Sequence, residues 1–159
     1  MTLSTVPGDG FEPDYRLATE DDAAEIADVI RDVVEGPNPV VFDRPWNEDE
    51  VSMWRRRLGD SGAIYVAVED GAVIGFGALD YNTRQPETAT LGVWMRSEWR
   101  RRGIGTVLAE YLLSHAREQD FRRIVGSVPD NNEAALSFLS AIGALAPLIN
   151  PESRFELPL

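Results

Sequence analysis

Apolar residues at Ala23, Ile26, Ala27, Ile30 and Val33/Val34 recur at helical spacing between polar positions, which predicts an amphipathic helix opening behind Thr19. Thr19 suits an N-cap, and Glu20, Asp21 and Asp22 place negative charge at the positive end of the helix dipole. Gly36-Pro37-Asn38-Pro39 stops that helix. The same period predicts helices over Glu48 to Leu58, ending at Gly59, over Ile104 to Gln119, with Val107, Leu108, Tyr111, Leu112 and Ala116 on one stripe, and over Asn131 to Ile142. Short apolar runs bounded by turn residues predict strands at Tyr15–Ala18, Ala63–Glu69, Ala72–Leu79, Thr88–Met95, Arg123–Val128 and Arg154–Leu157. Asp70-Gly71 joins the second and third of these as a tight hairpin. The order βααβββαβαβ meanders early and alternates late, as in a mixed sheet with helices on both faces.

At 159 residues and 43% hydrophobic content the chain suits one core of ordinary size, with residues 1–13 as a flexible arm and 14–159 as a single domain. No stretch is long and apolar enough for a membrane span and the start lacks a signal-peptide layout, so the expectation is a cytoplasmic protein without membrane contact. The chain contains no cysteine and one histidine, poor material for a zinc site, and no metal is expected. All fifteen basic residues are arginine, which removes a Walker lysine, a Schiff-base lysine and a Ser-x-x-Lys nucleophile together. A net charge of −12 argues against nucleic-acid binding, which needs a basic face to displace counterions. Residues 1–60 hold fifteen acids against six arginines, and this acidic half favours a cationic small amine or peptide amine as ligand.

The most informative segment is Trp94 to Gly105, where an apolar strand enters a basic, glycine-bearing turn and then a helix. Gly103 and Gly105 permit close backbone approach, the first helical N–H groups point at an anion, and Arg100, Arg101 and Arg102 add bidentate donors. Such a turn is a phosphate cradle. A dinucleotide fingerprint would need a third glycine where Leu108 stands. His115 reads as surface or half-buried packing, and no G-x-S-x-G elbow accompanies it. Arg55-Arg56-Arg57 reads as a solvated helix end offsetting the dipole. The four tryptophans read mostly as core, while Phe42 and Trp46 are candidates for lining an acceptor pocket.

R-x-x-G-x-G at 100–105, followed by N-x-x-A and a glycine at 132, 135 and 143, resembles the two signature segments of the GNAT N-acetyltransferase superfamily. Tyr15 to Ala23 is similar to that family's first strand and helix. The resemblance implies an α/β (α+β) fold, a mixed, mostly antiparallel sheet of six to seven strands flanked by about four helices. It implies acetyl-CoA as co-substrate. Arg100, Arg101, Arg102, Gly103, Ile104, Gly105 and Thr106 would then wrap the pyrophosphate, the backbone of Val93 and Met95 would pair with the pantetheine arm, and Asn132 would sit beside that arm or the thioester. It leaves a homodimer open.

Transfer from a thioester to an amine needs a neutral nucleophile, and an ammonium of pKa about 10.4 must first lose a proton. Glu87, thirteen residues before Arg100 at the start of the strand leading to the cradle, is the candidate general base. A strand N–H near Met95 would meet the oxyanion. Where the family commonly has a tyrosine to protonate sulfur, seven residues after the helix asparagine, this chain has Leu139, and Ser97 replaces a usual proline. A thiol of pKa about 8.5 can leave as thiolate, so the missing tyrosine affects the acid more than the reaction. The expected activity is direct acetyl transfer from acetyl-CoA to a small-molecule or peptide amine. The alternative is a non-catalytic acyl-CoA-binding module of the same fold.

Overall fold

A computed structural model describes residues 13–35, 44–99, 103–127 and 154–159. Six strands form one sheet in the order β1-β2-β3-β4-β5-β6: β1 Asp14–Leu17, β2 Ala63–Glu69, β3 Ala72–Tyr81, β4 Thr88–Met95, β5 Arg123–Ser127 and β6 Arg154–Pro158. Every neighbouring pair is antiparallel except β4 and β5. The predicted mixed, mostly antiparallel sheet is present. Three helices are described, α1 Ala23–Glu35, α2 Glu48–Leu58 and α3 Ile104–Glu118, and the expected fourth at Asn131 to Ile142 lies outside the described residues.

The helices divide between the two faces. Ile26, Ile30 and Val33 of α1 and Val51, Trp54 and Leu58 of α2 bury against Val66, Phe76 and Ala78. On the opposite face Leu112, Leu113 and Ala116 of α3 pack on Leu79, Ala89, Ile124 and Leu157, while Ile104 and Leu108 cover Met95. Because β3 is covered on both sides, its sequence is a continuous apolar run rather than an alternation. Each such aliphatic side chain contributes about 1.5–3 kcal/mol relative to exposure. The α3 stripe differs from the pattern at one position: Tyr111 is 41% exposed, and its ring stacks on Tyr65 and Tyr15 instead of entering the core.

Local signals fix the element ends. Asp70 and Gly71 both have positive φ, 51° and 78°, the geometry that a two-residue hairpin turn demands. Asn47 caps α2 reciprocally, its Oδ1 accepting the Glu50 N–H at 2.9 Å while Glu50 Oε1 accepts the Asn47 N–H at 3.1 Å. The Arg44 guanidinium on Glu50, with the Asn47 N–H, lowers that carboxyl to about 2. At the other helix start, Thr19 does not cap with its oxygen. Asp22 accepts the Thr19 N–H at 2.7 Å and binds Arg16 through both oxygens at 2.7 and 2.9 Å. The first turn, Glu20–Asp22, is accordingly 3₁₀ before α1 begins.

The arginine run at the end of α2 is not merely a solvated terminus. Arg55 donates to the Ala18 carbonyl and to Glu20, Arg56 donates to Glu20, and Arg57 donates to Asp80. These bonds tie α2 to the β1–α1 turn and to β3. Strand β3 also runs two residues past the predicted Leu79, which puts Asp80 on the sheet.

Candidate functional site

Parallel pairing between β4 and β5 covers only Thr88↔Arg123, Ala89↔Ile124 and Thr90↔Val125. Beyond Thr90, β4 continues to Met95 along β3, while β5 continues to Ser127 along β6. Among the described residues no rung joins β4 and β5 beyond Thr90, which leaves a slot opening there. The ladder decides which groups face it. Arg96 N–H donates to the Ile74 carbonyl at 3.0 Å, and the register Trp94↔Phe76, Gly92↔Ala78, Thr90↔Asp80 continues that hydrogen-bonded series. The intervening residues Leu91, Val93 and Met95 therefore direct N–H and C=O away from β3, toward the slot.

The start of α3 lies against the same end of β4. A methyl added to Gly105 would sit 3.3 Å from Val93 Cγ1, so helix and strand approach as closely as a glycine allows. Gly103 has φ 82° and opens α3, whose first intrahelical bond is Val107 N–H to the Gly103 carbonyl. The N–H groups of Ile104, Gly105 and Thr106 precede that bond and have no acceptor within the helix, the arrangement that binds anions. Ile104 is buried against Met95 and Leu108, which holds the helix start in place.

The segment between β4 and α3 is strapped to α1. Ser97 donates its N–H at 2.9 Å and its hydroxyl at 3.2 Å to Asp32, and Arg96 donates to Asp28 at 2.9 Å and to the Val73 carbonyl at 2.9 Å. A proline at position 97 would lack the first of these donors. The sequence gives no signal for this strap, because Asp28 and Asp32 read simply as the polar face of α1.

On the sheet face that carries α2, an open pocket of about 540 Å³ is lined by Arg57, Asp80, Tyr81, Asn82, Thr83 and Thr90. Asp80 accepts Trp54 Nε1–H at 2.9 Å, Arg57 Nη2–H at 2.7 Å and the Tyr81 N–H at 2.7 Å. Burial by itself would raise its pKa, but the hydrogen bonds from Arg57 and Trp54 together with the Tyr81 N–H outweigh it and hold the carboxyl below the usual range. Thr90, the cross-strand partner of Asp80, is also the last rung shared with β5, so pocket and slot meet there. Trp46 packs edge-on against Trp54 at 5.4 Å and so stands behind this pocket.

Of the residues expected to form the site, Val93, Met95, Gly103, Ile104, Gly105 and Thr106 come together where β4 meets α3. Glu87 does not join them. It precedes β4 at the opposite end, three residues and about 10 Å from Thr90, with its side chain 64% exposed and Oε1 3.5 Å from Arg122 Nε. Arg100, Arg101, Arg102, Asn132 and Phe42 lie outside the described residues. Sequence reasoning missed Asp80 and Arg57, which are 23 residues apart and meet only through the packing of α2 on β3. His115, half-buried, contacts the Asp60 carbonyl at 3.0 Å and is remote from the slot in role, joining α3 to the loop before β2. Among the described residues no cluster of three or more His, Cys, Asp or Glu is placed to hold a metal, and no helix is long and apolar enough to cross a membrane.

Comparison with known proteins bears on the fold and the family. The chain is similar to a phosphinothricin acetyltransferase of the GNAT superfamily from Sinorhizobium meliloti, solved with acetyl-CoA, at 19% identity and TM-score 0.78, covering 92% of this chain and 88% of that one. It is similar to a ribosomal-protein-alanine N-acetyltransferase from Brucella melitensis at 20% identity and TM-score 0.75, covering 91% and 99%. A 5-NmdU N-acetyltransferase of Pseudomonas phage PaMx11 is 30% identical over 84 residues, 53% of this chain, and the match spans 58% of that relative's length. Residues 27–144 match the Acetyltransferase (GNAT) family, and the chain belongs to that family.

Proposed function

We propose that the protein transfers the acetyl group of acetyl-CoA to a primary amine by direct attack on the thioester. The observation that carries this reading is the parting of β4 from β5 at Thr90, beside a helix N-terminus opened by Gly103. In this reading the diphosphate rests on the N–H groups of Ile104, Gly105 and Thr106, with Arg100, Arg101 and Arg102 as further donors. The pantetheine arm lies along β4 and takes the hydrogen bonds of Val93 and Met95 as an added strand would. Asn132 borders the arm or the thioester. The acceptor enters from the Thr90 side, with Trp46 and Phe42 contributing to the walls.

The amine lone pair attacks the carbonyl carbon, the C–S bond breaks with its electron pair leaving on sulfur as CoA thiolate, and the nitrogen releases its second proton to water as the neutral amide forms. An oxyanion forming against β4 where the slot begins accepts a hydrogen bond from a strand N–H directed into it, that of Leu91 being the first after Thr90. The proton lost by the ammonium passes through water to Glu87, whose distance from Thr90 allows no direct contact. The thiolate takes its proton from solvent, in keeping with Leu139 at the usual tyrosine position. The chain has no cysteine to carry the acyl group, which fits a mechanism without a covalent intermediate.

A thiol-release assay with acetyl-CoA against amines grouped by charge tests the reaction, run beside calorimetry of CoA binding. Thiol release that depends on amine supports acetyl transfer. Heat of CoA binding with no thiol release from any amine favours the non-catalytic acyl-CoA-binding module, and no heat at all removes both.

A further inference from the structure

Resting on the acetyl-transfer reading, we infer that the pocket beside Thr90 selects small amines that carry a carboxylate, with Arg57 as the group that receives it. The pocket's own anion is already committed. Asp80 takes three donors, from Trp54, Arg57 and the Tyr81 backbone, which leaves it little capacity for an incoming ammonium. The side-chain Oδ1 of Asn82 likewise accepts the Arg84 N–H at 2.9 Å, so the Nδ2 hydrogens are what that side chain has to offer. Arg57 places Nη2 on Asp80 at 2.7 Å and Nη1 3.5 Å from the Tyr81 carbonyl, out of five N–H donors, and its side chain is 55% exposed. The hydroxyls of Thr83 and Thr90 on the same wall can donate or accept, so the uncommitted N–H groups of Arg57 and Asn82 are the fixed donors of the lining. A ligand oxyanion matches those donors.

Arg57 and Thr90 line one pocket of about 540 Å³, and Thr90 is also where the slot begins. A ligand with its acid group on Arg57 and its amine at Thr90 is therefore a small molecule, and an amino acid fits within that space. The chain-wide charge of −12 favours cations, but charges farther than about 8 Å are screened at physiological salt; the adjacent Arg57–Asp80 pair is neutral in sum, so the N–H groups that Arg57 leaves uncommitted decide what the pocket holds. The fixed geometry of Arg57 also matters: the Asp80 contact keeps the guanidinium oriented before any ligand arrives.

The test compares thiol release from acetyl-CoA with α-amino acids, with their carboxamides and with the corresponding decarboxylated amines. The free acids are expected to exceed both other series by about tenfold or more in kcat/KM, the loss expected when one charge-assisted pair is removed. Arg57→Gln is expected to bring the acid-to-carboxamide ratio close to one through KM, and Arg57→Lys to give an intermediate ratio while keeping the charge beside Asp80. Circular dichroism of both variants checks the fold. Preference for carboxamides or decarboxylated amines, or an unchanged ratio in folded Arg57→Gln, overturns the inference while acetyl transfer stands. Absence of turnover in all three series overturns both.

Discussion

Trp54 donates its indole N–H to Asp80 across 26 residues of sequence, at 2.9 Å, and this bond joins the core under α2 to the rim of the pocket. The indole itself is held edge-on by Trp46 and Phe76, at 5.4 and 6.2 Å. A rigid aromatic thus orients the carboxylate that orients Arg57. Trp54→Phe keeps most of the packing and deletes the donor. It is expected to cost about 1 kcal/mol in stability and to raise the acceptor KM about fivefold, with acetyl-CoA affinity unchanged. Denaturant unfolding and initial rates at saturating acetyl-CoA measure the two effects.

Asp32 binds the Ser97 N–H and hydroxyl together, so its carboxylate sets where the chain leaves β4 for the cradle. Asp32→Ala is expected to weaken acetyl-CoA binding about tenfold and to leave the acceptor KM alone, because loss of two hydrogen bonds to a charged group costs about 1.5–3 kcal/mol or less once water enters. Asp32→Asn, which keeps an acceptor oxygen, should recover most of the affinity. Calorimetric titration with CoA separates the three proteins.

The fold was legible because its signals are local. The apolar period of α1, the Asp70-Gly71 turn and the double-faced apolar run of β3 each depend on neighbours in sequence. The glycine turn that opens α3 was legible for the same reason, since Gly103 to Thr106 are contiguous. The pocket was not. Arg57 belongs to a run that resembles a solvated terminus, and Asp80 stands just past the predicted end of its strand. They meet through tertiary packing, which leaves no trace in spacing. The strap of Asp28 and Asp32 on Arg96 and Ser97 has 65 to 68 residues between its partners and is silent in sequence for the same physical reason.

Gly103 has φ 82° with nothing within 4 Å of an added Cβ, so a substitution there meets backbone strain without a clash. Gly103→Ala is expected to destabilise by about 1–2 kcal/mol, the cost of the left-handed region for a residue with a Cβ. If the strain is relieved by turning the N–H groups away from their common focus, CoA affinity falls further than stability does. Thermal unfolding with and without CoA measures both in one experiment.

Acid pH should weaken the Asp22 cluster. The Asp22 side chain is 6% exposed, and the Arg16 guanidinium above all, with the Thr19 N–H, holds its carboxyl below the ordinary 3.8. A carboxyl lowered by folding contributes stability that is complete above its unfolded value and disappears as pH falls through the folded one. Wild type should therefore lose stability from about pH 5 downward, while Asp22→Asn, weaker by about 2 kcal/mol at neutral pH, shows a shallower decline. Chemical denaturation from pH 7 to pH 3 gives both curves.

Glu87 offers a test of how the ammonium loses its proton. Its carboxylate is exposed, lies 3.5 Å from Arg122 and is about 10 Å from Thr90 by strand rise, so a role as base requires intervening water. A base acting through such a chain contributes to the rate and not to cofactor binding. Glu87→Gln is therefore expected to lower kcat about tenfold or more while CoA affinity, read by calorimetry, is unchanged. The deficit should shrink as pH rises toward the amine's own pKa, since more of the acceptor is then neutral without help. A variant as fast as wild type at pH 7 would assign the proton to bulk water and free Glu87 for its contact with Arg122 alone.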